Sequence, residues 1–516
     1  MRSSDTPYGI SDVARWDMNA RWLGLSPLQL MENAGAAVAR IATERYGHAQ
    51  RIAVIAGIGN NGGDGFVAAR HLAFTHEVTV YLIGRPERLK TPEAIHNFAL
   101  IADSPFIRTI ALDDEESIRA LDLCTFDLLV DALLGAGGRG APRGVIGAAI
   151  QAMNRCRGRV PILSIDLPSG YPHEGYVSCD LAVTFQWDKR EYDNFSREIA
   201  TIGFLPELAH LVGPADVAPL LERRGEHKGQ NGDLLIIGGS RDYPGAPLLA
   251  ALAAAPFVDR VWVTAFRHST TPLPPMLIPV WVDAEDGQGR FTPSAADTVL
   301  QAAERVDAVV IGPGLGRSTG VLQFVETVLT ALDRPHVVDA DALYALPAPA
   351  DRTTSVVNSF RKRLITPHGG EFRALLGRFD LASDKNAVSS STIQHLKDRA
   401  RIVQRLARRL QATVLQKDAI DIIADATSWR YNITGNRGLT AGGTGDALAG
   451  LAGAFLARGA TPQAASGAAA FLVGLAGESM AEKQGLNFTA EDVVRVLPIV
   501  AERVRSGALP PRRRPT

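Results

Sequence analysis

The sequence is poor in cysteine and carries almost no net charge, which argues against a disulfide-rich secreted protein, a cysteine-bound metal site and a nucleic-acid-binding protein. Its 516 residues contain three cysteines, Cys124, Cys156 and Cys179. Their odd number argues against a disulfide framework, and their spacing matches no metal-ligand pattern, so we expect reduced thiols in a cytoplasmic protein. The formal net charge is −1, so no general field would attract nucleic acid or an anionic membrane surface.

Long apolar segments are also missing. The first twenty residues mix Asp5, Asp12, Arg15 and Asp17 without the apolar stretch of a secretory signal. The longest clean apolar run, near residues 246–258, is too short to cross a bilayer. We therefore expect a soluble protein with neither a membrane nor a nucleic acid as partner. A homo-oligomer is compatible with the sequence, which does not decide the oligomeric state.

What is present is enough material for two large domains. The apolar fraction is 46% and the charged fraction 21%, as in ordinary soluble proteins with full cores. Gly213-Pro214 and the charged residues 222–226 interrupt the pattern in the middle of the chain. We therefore predict two domains, 1–220 and 221–516.

Both halves alternate short β-rich apolar runs with helical periodicity, which is typical of α/β proteins with a central parallel sheet. In the first half the predicted strands are Ile52–Ala56, Val78–Ile83, Leu128–Val130, Ile162–Ile165 and Leu181–Phe185. In the second half they are Leu234–Ile237, Val261–Ala265, Ala308–Ile311, His336–Val338, Arg363–Thr366, Val414–Gln416 and Ile420–Ala424, the last two as a strand pair.

Three loops in the first half carry acids or amides directly after predicted strands. They are Gly57–Gly65 with two central asparagines, Asp131–Gly137, and Asp166–Gly170. Each acid alone is more often a turn or cap residue, but ligands of open α/β sheets bind beyond the carboxyl ends of the strands. Asn61, Asp131 and Ser169 offer only oxygen ligands, which suit a hard cation rather than zinc.

These motifs, with Met31-Glu32-Asn33-Ala34-Gly35 before them, resemble the NAD(P)HX epimerase domain of the NAD(P)H-hydrate repair proteins, over roughly residues 10–212. The resemblance implies a Rossmann-like three-layer sandwich and a potassium ion held by Asn61, Asp131 and Ser169. It makes Asp166 the candidate acid/base. It implies that the hydrated nucleotide lies along Asn60, Asn61, Gly62, Gly63, Asp64, Gly135, Ala136, Gly137, Gly138, Arg139, Gly140, Ala141 and Asp166. Related domains also serve as non-catalytic scaffolds, so epimerase activity is a hypothesis.

The second half contains the most informative stretch of the chain, Leu439–Gly450, in which a glycine-rich loop leads into a small-residue helix. Glycines let backbone amides crowd together, and the helix N-terminus adds its dipole, which suits a transferring phosphoryl group. Asp446 at the helix start could take a proton from a substrate hydroxyl. The alternative is that Asp446 only stabilises the helix, by roughly 0.3–1 kcal/mol.

With its companion loops this stretch resembles the dehydratase domain of the same family, which has the ribokinase-like fold, over about residues 225–505. The resemblance implies that the hydrated nucleotide meets Ala246, Gly314, His368 and Asp446, with Asp446 as the base. It implies magnesium at the nucleotide phosphates and ADP contacts at Lys417, Asp418, Ala419, Ile420, Asp421 and Gly445. Asp418 departs from the family, which usually has glycine there, and adds a negative charge beside the phosphates.

Two further patterns are interpreted as structural. Gly450 and Gly453 lie three residues apart on one helix face and permit close packing. The arginine-rich stretch Lys397–Arg409 is interpreted as a solvated helix face rather than a nucleic-acid patch.

The sequence thus predicts a bifunctional enzyme that epimerises R- and S-NAD(P)HX and dehydrates the S form with ADP, giving NAD(P)H, AMP and phosphate. Two alternatives stay open. One is a ribokinase-class small-molecule kinase with a regulatory first half, and the other is a non-catalytic nucleotide-binding scaffold.

Overall fold

The structure is a computed structural model, and it describes residues 9–512 except 138–139, 190–193, 226, 228, 268, 270, 284, 347–361 and 382–392. Its contacts divide the chain into two compact units. The first runs to Leu208 and also includes the end of the chain from Pro511, and the second is Ala209–Pro510. This division lies earlier than the expected boundary at 220/221, because Leu211 bridges Tyr431 and the Val212 amide donates to the Tyr431 carbonyl at 2.9 Å. Because Tyr431 lies in the second unit, Leu211 and Val212 belong to that unit as well.

The first unit begins with two helices and then alternates strands and helices. Its helices are α1 Ile10–Trp22, α2 Pro27–Tyr46, α3 Asn60–Leu72, α4 Pro92–Ala102, α5 Glu115–Arg119 and α6 Gly144–Asn154. Its strands are β1 Arg51–Ala56, β2 Glu77–Ile83, β3 Ile107–Leu112, β4 Leu128–Ala132, β5 Ile162–Ile165, β6 Leu181–Phe185 and β7 Arg197–Ala200.

Within the described residues these strands form one parallel sheet in the order β3-β2-β1-β4-β5-β6-β7. Alternate residues of β1 belong to two separate hydrophobic cores, one on each face of the sheet. Val54 packs with α2 and α3, and Ile55 packs with α6. Helices therefore cover both faces of the sheet, as the predicted three-layer sandwich requires. The five predicted strands are confirmed, and β3 and β7, the two edge strands, were missed.

Local signals in the sequence explain where the helices of this unit begin. Ser26 accepts the Gln29 amide at 3.2 Å and is followed by Pro27, so α2 starts with a side-chain cap and a proline at its first position. Gly35 allows α2 to lie against α3, since a Cβ atom there would be 2.4 Å from Cβ of Val67. This contact holds α3, which carries the asparagine loop, against the rest of the unit.

The second unit repeats the alternation and ends in three long helices. Its helices are α7 Pro214–Leu221, α8 Ala246–Ala254, α9 Ala296–Ala303, α10 Thr319–Ala331, α11 Gly369–Arg378, α12 Ile393–Leu410, α13 Thr444–Ala457, α14 Pro462–Gln484 and α15 Ala490–Arg505. Its strands are β8 Asp233–Ile237, β9 Arg260–Phe266, β10 Leu277–Val282, β11 Ala308–Ile311, β12 His336–Val338, β13 Arg363–Ile365, β14 Thr413–Gln416, β15 Asp421–Ala424 and β16 Trp429–Asn432.

In the described part of this unit the strand order is β10-β9-β8-β11-β12-β13-β14-β15-β16. The pairs β14–β15 and β15–β16 are antiparallel, and the other pairs are parallel. One face of the sheet packs against α9 to α12, and the other packs against α13. All seven predicted strands are confirmed, including the strand pair, and the missed strands β10 and β16 again lie at the sheet edges.

The two helix glycines are confirmed as packing positions. A Cβ atom at Gly450 would lie 1.9 Å from the Ala250 carbonyl oxygen, so α13 rests on the backbone of α8. A Cβ atom at Gly453 would lie 2.3 Å from Cγ2 of Val310 in the sheet. Helix α13 is therefore fixed on two sides, which holds Asp446 in place.

Helix α14, Pro462–Gln484, is the described helix long and apolar enough to cross a membrane, and 78% of its most apolar window is buried inside the protein. It packs between α13, α15 and the antiparallel strands. Its composition is therefore explained by its position in the core.

The prediction that all three cysteines are free thiols is wrong. Cys124 and Cys156 form a disulfide bond, and Cys179 stays free. The sulfur atoms meet because the turn before β4 packs against the end of α6, a contact that sequence spacing does not reveal. A cytoplasmic location stays a prediction, and reduced cysteines no longer support it.

The interpretation of Lys397–Arg409 as a solvated face holds for the exposed Arg401, Arg405, Arg408 and Arg409 but is wrong for Arg399. Arg399 is buried and donates to the Gln416 amide oxygen at 2.7 Å, the Asp418 carboxylate at 3.0 Å and the Ile420 carbonyl at 3.1 Å. This arginine is part of the structure around the β14–β15 turn.

Candidate functional site

The asparagine loop of the first unit joins β1 to α3 by direct backbone packing. A Cβ atom at Gly62 would lie 1.9 Å from the Gly57 carbonyl oxygen, and one at Gly57 would lie 2.2 Å from the Leu133 carbonyl oxygen. Only glycine fits such approaches. The loops after β1 and β4 are therefore in contact, as the prediction of a common sheet edge requires.

Asp131 and Ser169 are brought together at this edge. Asp131 at the end of β4 is fully buried and accepts the Ser169 hydroxyl at 2.5 Å, the Ser169 amide at 2.9 Å and the Ser164 hydroxyl at 2.8 Å. Burial raises the pKa of Asp131, and these hydrogen bonds act in the opposite direction. The Ser169 hydroxyl oxygen also accepts the Leu134 amide at 2.8 Å, so it lies between both loops.

Asn61, the third predicted oxygen ligand, lies in the first turn of α3. It is 8% exposed, and its amide nitrogen has no hydrogen-bond partner within the described chain. Its amide oxygen lies 3.0 Å, and Oδ2 of Asp166 3.4 Å, from where a Cβ atom at Gly135 would sit. A buried N–H donor without a partner is costly, so this amide nitrogen is suited to a ligand that accepts a hydrogen bond. The carboxylate, hydroxyl and amide oxygens fit a hard cation such as potassium.

Asp166 is held between the glycine loop and a lysine that the sequence prediction left out of the site. Its Oδ2 accepts the Ala136 amide at 3.0 Å, and its Oδ1 accepts Nζ of Lys189 at 3.2 Å. Its φ of +64° is a left-handed conformation, which aspartate tolerates better than most residues. Lys189 is buried and follows β6. In the sequence, Lys189 is recognisable only as a lysine four residues after an apolar strand.

Two further carboxylates face Asp166. Desolvation and then the charges of Asp166 and Asp17 raise the pKa of Asp64 well above its usual value. Desolvation and then Asp166 raise the pKa of Asp17, on α1, to about 6, while Arg21 and Lys189 act against the shift. Asp17 was missed as a site residue, because in the sequence it is only one of several acids near the N-terminus.

The remaining predicted positions fall into two groups, one after β4 and one in α3. Gly137, Gly140 and Ala141 are exposed, and Gly140 has a positive φ of 76°. Gly138 and Arg139 lie outside the described residues. The other members, Asn60, Gly63 and Asp64, lie in the first turns of α3.

In the second unit the neighbouring parallel strands β11, β12, β13 and β14 end at the same edge of the sheet. The loop after β11 begins at Gly312, where a Cβ atom would lie 1.8 Å from the Asp339 carbonyl oxygen after β12. Gly314 approaches the start of α8, since a Cβ atom there would lie 3.0 Å from Cβ of Ala246. The predicted site residues Ala246 and Gly314 are therefore adjacent.

Lys417, at the end of β14, points across the sheet edge. Its ammonium donates to Oδ1 of Asp339 at 2.8 Å, and a Cβ atom at Gly445 would lie 3.3 Å from the ammonium nitrogen. The same Asp339 oxygen accepts the Thr366 hydroxyl at 2.7 Å. Predicted site residues 417 and 445 therefore meet, and Asp339, the acid directly after the predicted strand His336–Val338, lies beneath them.

Asp446 follows in the first turn of α13, after Gly443 in a left-handed conformation with φ +93°. No hydrogen bond to its carboxylate occurs in the described part of the chain, so Asp446 does not cap the helix by a side-chain bond. Burial raises the pKa of Asp446 to about 7, and the charges of Asp339, Asp341 and Glu371 act in the same direction while Lys417 acts against them. A base with a pKa near neutral is suited to taking and releasing a proton at physiological pH.

His368 caps α11, because its Nδ1 accepts the amides of Gly370 and Glu371 at 3.0 and 3.4 Å. Its Nε2 lies 3.3 Å from the Glu371 carboxylate, whose pKa is raised by burial. His368 also bridges Lys417 through the backbone, and the Lys417 amide donates to the Pro367 carbonyl at 2.9 Å. The histidine is therefore beside the lysine, with an exposed ring edge.

The turn from Lys417 to Asp421 shows how the negative charge of Asp418, which would repel nucleotide phosphates, is compensated. The Asp418 carboxylate is engaged by the buried Arg399 at 3.0 Å and by the Ala419 amide at 2.8 Å. Asp421 accepts the Asp418 amide at 3.0 Å and the Asn432 side chain at 2.9 Å, and burial raises its pKa to about 6. The negative charge of Asp418 is therefore compensated by a cation from α12.

Known proteins match both units. The family model described as NAD(P)H-hydrate dehydratase matches residues 234–499, and the one described as YjeF-related protein N-terminus matches residues 27–191. The bifunctional NAD(P)H-hydrate repair enzyme Nnr of Hyperthermus butylicus is 39% identical over 94% of this chain and 90% of its own length. The enzyme of the same name from Methanothermobacter thermautotrophicus is 37% identical over 95% of this chain and 94% of its own length.

Among solved structures, an ADP/ATP-dependent NAD(P)H-hydrate dehydratase from Bacillus subtilis, co-crystallised with ATP and Mg²⁺, is 28% identical with a TM-score of 0.45. It covers 57% of this chain, and this chain covers 98% of it.

Proposed function

Because this chain belongs to the bifunctional NAD(P)H-hydrate repair family, we propose that it repairs hydrated nicotinamide nucleotides at two sites, one in each unit. The first unit interconverts R- and S-NAD(P)HX, and the second dehydrates the S form with ADP as phosphoryl donor. The observation that carries this proposal is the position of Asp446, whose carboxylate has no hydrogen bond to the residues described and lies beside a glycine loop and a lysine.

The dehydration needs a leaving group better than hydroxide. Asp446 takes the proton of the hydroxyl on the hydrated ring as the hydroxyl oxygen attacks the terminal phosphoryl group of ADP, which releases AMP. The ring nitrogen then supplies its electron pair, the carbon–oxygen bond breaks, and phosphate leaves. The amides of Gly442–Gly445 and the ammonium of Lys417 stabilise the charge that develops on the phosphoryl oxygens.

Magnesium, which the family implies, would neutralise charge on the nucleotide phosphates. Among the described residues no group of three or more His, Cys, Asp or Glu side chains is arranged to hold a metal ion. A magnesium ion would therefore be held by phosphate oxygens and water with at most one or two carboxylates, as is common for this cation. Lys417, Asp418, Ala419, Ile420, Asp421 and Gly445 are proposed to contact ADP, and Ala246, Gly314, His368 and Asp446 to contact the hydrated nucleotide.

In the first unit Asp166 is proposed as the acid/base at the hydroxylated carbon. Lys189 and the Ala136 amide fix its two oxygens, which orients the carboxylate toward Gly135. The proposed potassium site consists of Asn61, Asp131 and Ser169, and the ion would supply positive charge beside the substrate phosphates. The nucleotide is proposed to lie along Asn60–Asp64 and the loop after β4.

The test is to incubate the full chain with S-NADHX, ADP and magnesium and to follow the return of absorbance at the reduced-nicotinamide band. Recovery of NADH with release of AMP and phosphate supports the proposal. A small-molecule kinase or a binding scaffold would give no recovery, which would refute it.

Asp446→Asn tests the role of the base within the same assay. Removing a positioned base costs about 10²–10⁴ in rate, so kcat of dehydration falls by that factor while the protein stays folded. Asp297→Asn, an exposed acid in the first turn of α9, is the matched control and keeps the wild-type rate. Wild-type turnover of Asp446→Asn would exclude Asp446 as the base.

A further inference from the structure

Asp339 lies at the point where the four loops of the second site meet. It is 1% exposed and follows β12. Its amide donates to the Ile311 carbonyl at 3.0 Å, and its carbonyl oxygen occupies the space that any side chain at Gly312 would need. The backbone of Asp339 is therefore fixed against β11 and its loop.

The Asp339 carboxylate is equally fixed. A single oxygen accepts both the Thr366 hydroxyl, from the end of β13, and the Lys417 ammonium, from the end of β14, at 2.7 and 2.8 Å. The ammonium lies against Gly445, the residue before Asp446. A chain of contacts therefore runs from Thr366 through Asp339 and Lys417 to the glycine loop.

We propose that Asp339 is the positioning residue of the second site, whose carboxylate holds the Lys417 ammonium beside the Gly442–Gly445 loop, within reach of an incoming phosphoryl group. This inference rests on the proposed function of that site. It assigns a role to a residue that makes no contact with substrate, since Asp339 acts through Lys417.

The charges around Asp446 agree with this role. Asp339 and Asp341 face it from the segment after β12, Glu371 from α11 and Lys417 from β14. Asp339 is the largest charged contribution that raises the pKa of Asp446, and Lys417 is the one that lowers it. The Asp339 charge also helps to keep Lys417 protonated despite burial. The ion pair therefore fixes both the position of the cation and the pH at which the base becomes available.

Asp339→Asn keeps the shape of the side chain and removes its charge. The pKa of Asp446 falls, so the acid limb of the kcat/KM profile for dehydration moves to lower pH, by about one unit for a close like charge. The released ammonium pairs with Asp446 instead of the phosphate, so KM for ADP rises roughly tenfold, as the loss of one charge-assisted contact predicts. Asp333→Asn, the same change at an exposed carboxyl that pairs with Lys362, leaves both quantities unchanged.

Thr366→Val separates position from charge. It removes the hydroxyl that orients the Asp339 carboxylate but leaves the carboxylate charged. KM for ADP therefore rises, by less than in Asp339→Asn, while the acid limb stays at the wild-type pH. If Asp339 and Thr366 had a merely structural role, either variant would have a lower melting temperature. The acid limb would then not move in Asp339→Asn alone while KM for ADP rises in both variants.

An unmoved acid limb in folded Asp339→Asn, or an unchanged KM for ADP in Thr366→Val, overturns the inference. Failure of the positioning role of Asp339 can be distinguished from failure of the proposed dehydratase function. If the wild-type chain did not dehydrate S-NADHX at all, the ADP-induced rise in melting temperature would still report on Lys417. That rise would have to shrink in Asp339→Asn and persist in Asp333→Asn, and equal shifts in the two variants would exclude the positioning role.

Discussion

At the scale of single residues, Asp446 couples the chemistry of the second site to the stability of the chain. Burial raises its pKa from 3.8 to about 7. The folded state therefore binds more protons than the unfolded state between these two values, and stability falls as the pH rises through this window. Above pH 7 the carboxylate is charged in both states, and the full cost of its burial remains.

Asp446→Asn should consequently stabilise the protein above pH 7 while it abolishes dehydration. The expected gain at pH 8 is roughly 1–3 kcal/mol, since one pKa unit corresponds to about 1.4 kcal/mol and solvent screens part of the shift. The gain should disappear below about pH 3, where the carboxyl is protonated in both states. Urea unfolding of the variant and the wild type at both pH values measures it.

The control for this prediction is Asp492→Asn. Asp492 lies in the first turn of α15, as Asp446 does in α13, but its pKa is lowered by bonds from the Thr489 amide and hydroxyl. Its removal should destabilise the protein at pH 8. A loss of stability in both variants would show that Asp446 acts as an ordinary helix-start acid.

The sequence pointed to those candidate site residues that stand in a recognisable loop. Asp446, Lys417 and Asp166 each follow a strand or a glycine run, so their types and positions were informative. Asp339 directly follows the predicted strand His336–Val338, but its bond to Lys417 joins side chains 78 residues apart in the sequence and is not visible there. Asp17 had no signal, because its relation to Asp166 exists only once α1 has folded onto the sheet.

At the scale of secondary-structure elements, the close contact of α13 with α8 sets the position of the base. Gly450→Ala would place a methyl group 1.9 Å from the Ala250 carbonyl oxygen, so the helices must separate. We expect a loss of roughly 1–3 kcal/mol in the free energy of unfolding, as overpacking typically costs. Denaturant titration measures the loss.

Gly377→Ala is the matched control, because no heavy atom lies within 4 Å of the new methyl group and the residue is in α11. It should gain up to about 1 kcal/mol from helix propensity. If Gly450→Ala behaved like Gly377→Ala, the two helices would not be held at the distance described.

The element α12 contributes to the second site through one arginine. Arg399→Met removes the cation that compensates Asp418, so that carboxylate repels the phosphates of ADP. We expect KM for ADP to rise roughly tenfold, equivalent to about 1.4 kcal/mol. Arg401→Met, two residues along the helix at an exposed position, should keep the wild-type KM. Equal values for the two variants would mean that Asp418 does not face the nucleotide.

The strands that the sequence failed to predict are the four edge strands, β3, β7, β10 and β16. Interior strands of a parallel sheet are buried on both faces and appear as continuous apolar runs, which is how they were found. The edge strands β3, β7 and β16 carry polar residues, as in Arg197–Ala200, where three of four residues are not buried. Strand β10, Leu277–Val282, is apolar, but it contains Pro279, which argues against a strand in the sequence. The disulfide and the buried Arg399 escaped prediction for a related reason, since both depend on which helix face meets the sheet.

At the scale of the whole molecule, the two units carry one repair process on a single chain. Only the S form is dehydrated, so a mixture of epimers is repaired completely only if the R form is converted. Asp166→Asn and Asp446→Asn in the full chain should therefore fail in different ways. Each variant is the control for the other, because each leaves the other unit intact.

Given an R/S mixture with ADP and magnesium, Asp166→Asn should restore NADH rapidly in proportion to the S fraction and then only at the spontaneous epimerisation rate. Asp446→Asn should restore almost none but should bring the epimers to equilibrium as fast as the wild type. Mixing the two variants should restore complete recovery, since the intermediate can diffuse between molecules. Chromatography of the epimers alongside absorbance measures both reactions. If Asp166→Asn consumed the R form at the wild-type rate, epimerisation would not depend on the carboxylate held by Lys189 and the Ala136 amide.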